Sequence, residues 1–214
     1  AGYLNDTYYE LSCLEDIYFT GYVKGNNYVG GLAGYSDTDY AQGFSNVYHY
    51  AGGGTWGNSY VGGIVGYATG DNQGLGYCGN RSPVSGSSNV GGVSGYGGRS
   101  FYHCWNSGRV TGSGSYVGGV VSYGNGKLID CSNSGTVTGT NNVGGIAGAW
   151  TGGSISDCEN STSSGSGIGS TGYNLGGIAG YVASSTEVSG NKADDVNITV
   201  DQSTNHYGDK DPNA

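Results

Sequence analysis

The sequence has little of what most binding or catalytic chemistry relies on. Across 214 residues there are no Met, two Pro, three His and only seven Lys and Arg together. Scarce Pro, and Gly that does not fall at every third position, exclude a collagen triple helix, which needs both. Seven scattered basic residues against a net charge of -9 exclude a nucleic-acid surface, because such surfaces exchange counterions for Lys and Arg. No apolar run approaches the roughly 18 residues of a membrane-spanning helix, so direct membrane insertion is not expected. No stretch carries the 3.6-residue apolar period of a helix. There is no signal-peptide pattern and no initiator Met, so the chain reads as a segment of something longer.

What is present is 47 Gly and 20 Tyr. That much Gly suggests low complexity, but 12% aromatic content argues against disorder, and the glycines are periodic. One phrase recurs six times as YVGGLAGY, YVGGIVGY, NVGGVSGY, YVGGVVSY, NVGGIAGA and NLGGIAGY. Its apolar residues Val29, Val61, Val90, Val117, Val143 and Leu175 lie 32, 29, 27, 26 and 32 residues apart. A second phrase (YCGN, HCWN, DCSN, DCEN) keeps the rhythm. It places Cys78, Cys104, Cys131 and Cys158 in one column and Asn80, Asn106, Asn133 and Asn160 in another. Cys13 reads as the first member of the cysteine column, with Val47 replacing the thiol in the coil after it. A third segment, clearest as GRVTG and GTVTG, carries Val110 and Val137.

These periods predict an all-β fold, a single parallel β-solenoid of about six coils with roughly three short strands per coil. Open strand edges at the two ends require covering, so capping segments are expected at both. The expected division is an N-terminal cap or first partial coil over 1–25, the repeats over 26–184, and a C-terminal cap with acidic linker over 185–214.

The phrase VGGLAGY and its relatives, followed by an apolar strand ending in Cys or a small residue and then by a V-x-G segment, resemble the GLUG repeat over about residues 22 to 183. Departures are Ser122 for the final Gly, the Ala149 and Trp150 pair where Tyr is usual, and Val47 for Cys. The resemblance implies a module of large secreted or wall-attached bacterial proteins, including adhesins and non-catalytic regions of some immunoglobulin A peptidases. It implies extracellular display and interaction, and carries no catalytic residues over.

Five cysteines in an extracellular chain raise the question of disulfides, but side chains pointing in parallel into a core read as buried free thiols. No His is placed to activate a thiolate. Asp37 with Asp39, and Asp209 with Asp211, lack the further oxygen ligands of a calcium loop, so no metal or cofactor is expected. Asn5, Asn80, Asn160 and Asn197 begin formal glycosylation triplets, which carry little weight in a bacterial protein. The recurrent Tyr35, Tyr67, Tyr96, Tyr123 and Tyr181, with Tyr28, Tyr60 and Tyr116, read as stacks supporting the coil.

If the cysteine column faces inward, strand alternation turns its neighbours outward. That places Tyr48, Tyr77, His103 and Trp105 on the surface, with Phe101 two positions before His103, as candidate partner-binding residues. The stretches Asp37 to Trp56 and Asp71 to Ser82 read as further contact loops. The expected function is a non-enzymatic module recognising a host protein or glycoprotein, immunoglobulin included, within a monomeric segment of a larger chain. A plain stalk is the main alternative. A polysaccharide-processing enzyme is disfavoured because Asp130, Asp157 and Glu159 form an acidic column with no basic partner nearby.

Overall fold

The computed structural model describes residues 2–6, 14–38, 43–70, 74–161, 167–194 and 197–200. These form an all-β, parallel solenoid. Equivalent strands of successive coils pair in register: Val29 with Val61, Val61 with Val90, Val90 with Val117, Val117 with Val143 and Val143 with Leu175. The six copies of the repeated phrase thus become one six-stranded sheet. The V-x-G segments build a seven-stranded sheet alongside it, through pairs such as Val84 with Val110 and Val110 with Val137.

Five short strands make up a complete coil, more than the three expected. One coil reads Lys127–Ile129, Ser132–Asn133, Val137–Gly139, Asn141–Gly144 and Ala147–Trp150. Part of the extra division comes from residues in the left-handed region: Tyr77, His103, Asp130 and Asp157 each separate two short strands, whereas Asp16 and Asn46 at the same corner lie within one longer strand. One such column is Asp16, Asn46, Tyr77, His103, Asp130 and Asp157, with φ between 51° and 55°. A second is Tyr28, Tyr60, Asn89, Tyr116, Asn142 and Asn174. Asn, Asp and His tolerate this conformation, whereas for a bulky residue it costs on the order of 1–2 kcal/mol. Tyr28, Tyr60 and Tyr116 recover a comparable amount by packing edge-on against Tyr35, Tyr67 and Tyr123 at 5.9, 5.3 and 5.3 Å. Those partners stack on one another, Tyr35 on Tyr67 at 5.2 Å, Tyr67 on Tyr96 at 4.2 Å and Tyr96 on Tyr123 at 5.8 Å. Burial and the neighbouring phenols raise the Tyr67 pKa to about 12.

The interior has two apolar clusters. The larger holds the Phe44, Leu75, Phe101, Leu128 and Ile155 column with the cysteines and Ile64, Val93, Val120 and Ile146. The smaller packs Val84, Val110 and Val137 against Val61, Val90, Val117 and Val143. Between them runs a ladder of buried amides. Asn80 Nδ2 donates to Asn106 Oδ1 at 2.8 Å, Asn106 to Asn133 at 2.9 Å and Asn133 to Asn160 at 2.9 Å. The second Nδ2 hydrogen goes to the carbonyl two residues on, and the amide nitrogen there donates back to Oδ1. Asn106 and Asn133 therefore use two donors and two acceptor sites, which makes their burial tolerable.

The ladder explains the paired glycines of the repeat. A Cβ on the second Gly, at Gly63, Gly92, Gly119 or Gly145, would strike the side chain of Asn80, Asn106, Asn133 or Asn160. A Cβ on the first, at Gly62, Gly91, Gly118 or Gly144, would strike the carbonyl three residues on in its own phrase. Where Ser122 replaces the third Gly, its hydroxyl donates to the Gly95 carbonyl.

The first coil departs from the sequence expectation. Its strand Leu14–Phe19 pairs Ile17 with Val47, Tyr18 with Tyr48 and Phe19 with His49. Ile17 therefore occupies the cysteine column, and Cys13, assigned to it above, is four positions away and outside the described residues. The rule of one repeat spacing misplaced it because an apolar side chain replaces the thiol in both of the first two coils. At the other end, strands Glu187–Ser189, Lys192–Asp194 and Asn197–Val200 continue the ladders beyond the last repeated phrase. Asp39, Asp209 and Asp211 lie outside the described residues, as do parts of both proposed contact loops.

Candidate functional site

Cys78, Cys104, Cys131 and Cys158 are free and buried. Each thiol faces a carbonyl of the preceding coil or of its own, as Cys104 Sγ does the Leu75 oxygen at 3.3 Å. Burial pushes the Cys104 thiol up, and hydrogen bonding to Cys131 together with burial does the same at Cys158. Cys104 and Cys158 are thereby held protonated, and all four side chains serve as buried packing groups.

Outside this column the proposed binding residues divide. Phe101 does not belong among them: it is fully buried, paired with Leu75 and Leu128 in the core. Counting by twos from Cys104 sends Phe101 outward, but His103 has φ 51°, and this left-handed corner interrupts the alternation. Phe101 and Cys104, three residues apart, consequently both face in.

Tyr77 and His103 form one exposed pair at successive corners, their rings stacked at 4.7 Å. His103 Nδ1 lies 3.8 Å from Asp130 at the next corner, with both side chains nearly half exposed, so solvent screens the pair.

Tyr48 and Trp105 belong to a second group. They stand two coils apart, which at the strand spacing is about 9.6 Å. Their rings nevertheless approach to 6.0 Å. Gly79, paired with both of them, makes this possible, because a Cβ there would overlap the Trp105 indole. The indole leans across Gly79 toward Tyr48. Tyr18 stacks on Tyr48 at 5.4 Å and on Tyr50 at 6.0 Å. Burial raises the Tyr48 pKa, with a smaller contribution from Tyr18.

Arg81 completes the group, its guanidinium 5.5 Å from the Tyr50 ring and 5.2 Å from the Trp105 ring. This is cation–π geometry on two sides, and the arrangement holds the charged group on the exposed surface. Sequence reasoning missed Arg81, Tyr18 and Tyr50. The signal for Arg81 was available: it follows the ladder Asn80, where the next three coils place Ser107, Ser134 and Ser161 after theirs.

His49 occupies the ladder position next to Asn80, fully buried and stacked on Phe19 at 4.6 Å. Its Nδ1 lies 3.2 Å from the Gly63 carbonyl and its Nε2 3.2 Å from the Gly21 carbonyl. Burial lowers its pKa below 6.5, opposed by the two carbonyls.

Among the described residues no three His, Cys, Asp or Glu side chains gather as metal ligands. No protein-family model matches the sequence, the GLUG repeat included, and no curated protein does. Among solved structures the chain is similar to a crystal structure from Bacteroides ovatus named as a "putative immunoglobulin A1 protease", with TM-score 0.69 and 17% identity. The match covers 92% of this chain and 65% of that one, and at this identity what the two share is the β-solenoid fold.

Proposed function

We propose that this solenoid is a non-enzymatic binding module of a secreted or surface-displayed bacterial protein, and that it recognises a host macromolecule through Tyr18, Tyr48, Tyr50, Arg81 and Trp105. One observation carries the reading. These residues form a contiguous group of aromatic rings around a cation, on columns where later coils place Ser132, Glu159, Ser134 and Ser161. The scaffold folds with Ser or Glu in those places, so folding does not call for the rings. Aromatic residues and Arg are also the side chains that dominate binding energy at interfaces. The name of the solved neighbour brings immunoglobulin into the set of partners to test, beside host glycoproteins.

The test is biolayer interferometry of the purified chain against host glycoproteins and polyclonal immunoglobulin, with the double variant Tyr48→Ala and Trp105→Ala beside the wild type. Saturable binding that the variant loses supports a recognition module at this site. Absence of binding across the panel makes the solenoid a spacer.

A further inference from the structure

We infer that the Arg81 group takes the carboxylate of an acidic sugar, a sialic or uronic acid at a glycan terminus. The inference rests on the binding reading above and specifies its ligand.

The Arg81 backbone N–H donates to the His49 carbonyl at 2.9 Å, but its guanidinium has no hydrogen bond or ion pair to any described residue, and neither do the Trp105 indole nitrogen and the Tyr18, Tyr48 and Tyr50 hydroxyls. A guanidinium with a ring on two sides has its N–H edge left for a ligand, and that edge matches a carboxylate with two parallel hydrogen bonds. The hydroxyls and the indole N–H supply further donors around it, in the pattern a polyhydroxylated ring can use. Charge narrows the class. The chain carries -9 overall, and Asp16 lies near enough to Tyr48 to act on its pKa, so a polyanion would be repelled. A single carboxylate meets the single cation. Geometry disfavours a peptide, because strand addition needs a free edge. Beside Arg81 the strands of Phe44–His49, Gly79–Asn80 and Trp105–Asn106 are paired to coils on both sides, and among the described residues Leu14–Phe19, which carries Tyr18, is paired on one side.

The test follows the indole N–H signals of Trp56, Trp105 and Trp150 by NMR during titration with sialyllactose, a glucuronic-acid disaccharide, lactose and a Glu-containing peptide. Trp150 is buried with its nitrogen bonded to Gly126, which makes it an internal reference. The expected result is a saturable shift of the Trp105 signal with one of the two acidic sugars, which also identifies the source, and binding of lactose weaker by roughly tenfold or more. Arg81→Ser, which installs the residue of the following coils and so keeps the fold, abolishes the preference. Arg81→Lys keeps the charge but loses most of the affinity.

Equal response to acidic and neutral sugars, an unchanged preference in Arg81→Ser, or a response to the peptide alone overturns the inference. If no sugar binds while a host protein still binds and the Tyr48 and Trp105 double variant loses it, the binding module stands and the acidic-sugar ligand falls.

Discussion

The second to fourth coils and the fifth and sixth coils share an interior and differ in what they display. Inward, Phe44, Leu75 and Phe101 give way to Leu128 and Ile155, and Val47, Cys78 and Cys104 to Cys131 and Cys158, with all of these side chains buried. Outward, Tyr48 and Trp105 give way to Ser132 and Glu159, and Arg81 to Ser134 and Ser161. Even the tyrosine stack stops, where Ala149 follows Tyr123. The difference teaches that the coil restricts its interior to a narrow range of shapes and leaves its outer columns free to vary. The coil does not itself demand the aromatic group at Tyr48 and Trp105, which is the ground for the recognition role proposed for it.

The comparison breaks most violently at the paired glycines. Gly119→Ala puts a methyl group into the Gly145 carbonyl and the Asn133 side chain. It is expected to cost about 4 kcal/mol or more, or to prevent folding, as read by denaturant unfolding. Gly76→Ala, where nothing lies within 4 Å of the new Cβ, should cost less than about 1 kcal/mol in the same assay. Next in size is the amide ladder. Asn106→Ala leaves Asn80 without its acceptor and Asn133 without its donor, for an expected loss of about 2–4 kcal/mol. Trp105→Ser, one residue earlier but facing out, should shift the unfolding free energy by about 1 kcal/mol or less.

A smaller effect distinguishes the ladder's own two ends. His49 has a lowered pKa when folded, so the unfolded chain binds the proton more readily. Stability is complete above the ordinary value of 6.5 and declines as pH falls below it toward the folded pKa. His49→Asn, which continues the ladder chemistry, should remove this part of the pH dependence of the unfolding midpoint. The end at Asn160, where the next ladder position is Ala193, offers no such titration.

The fold was legible because the repeat period is written three times over, in the VGG phrase, the Cys and Asn columns and the V-x-G segments. Less legible were features that depend on backbone conformation. Left-handed corners at His103 and its equivalents leave no sharp mark, since Asp, Asn, Tyr and His all occupy them, and they defeated the alternation that would have turned Phe101 outward. The exchange of thiol for Ile17 in the first coil preserved volume and hid the register that Cys13 seemed to supply. In the candidate site, Tyr48, Tyr77, His103 and Trp105 were found by their column, but the meeting of Tyr48 with Trp105 required a feature with no side chain at all, Gly79. Arg81 was visible as an exception to a column of serines, and exceptions to a repeat are the better guide to what the scaffold displays.

The most direct test of that separation is host-glycoprotein binding by the triple variant Tyr48→Ser, Arg81→Ser and Trp105→Ser, with its unfolding midpoint as control. The account predicts a folded protein with a midpoint close to the wild type and no remaining saturable binding. Wild-type affinity in the folded triple variant would contradict it, because the outward columns would then have nothing to do with recognition.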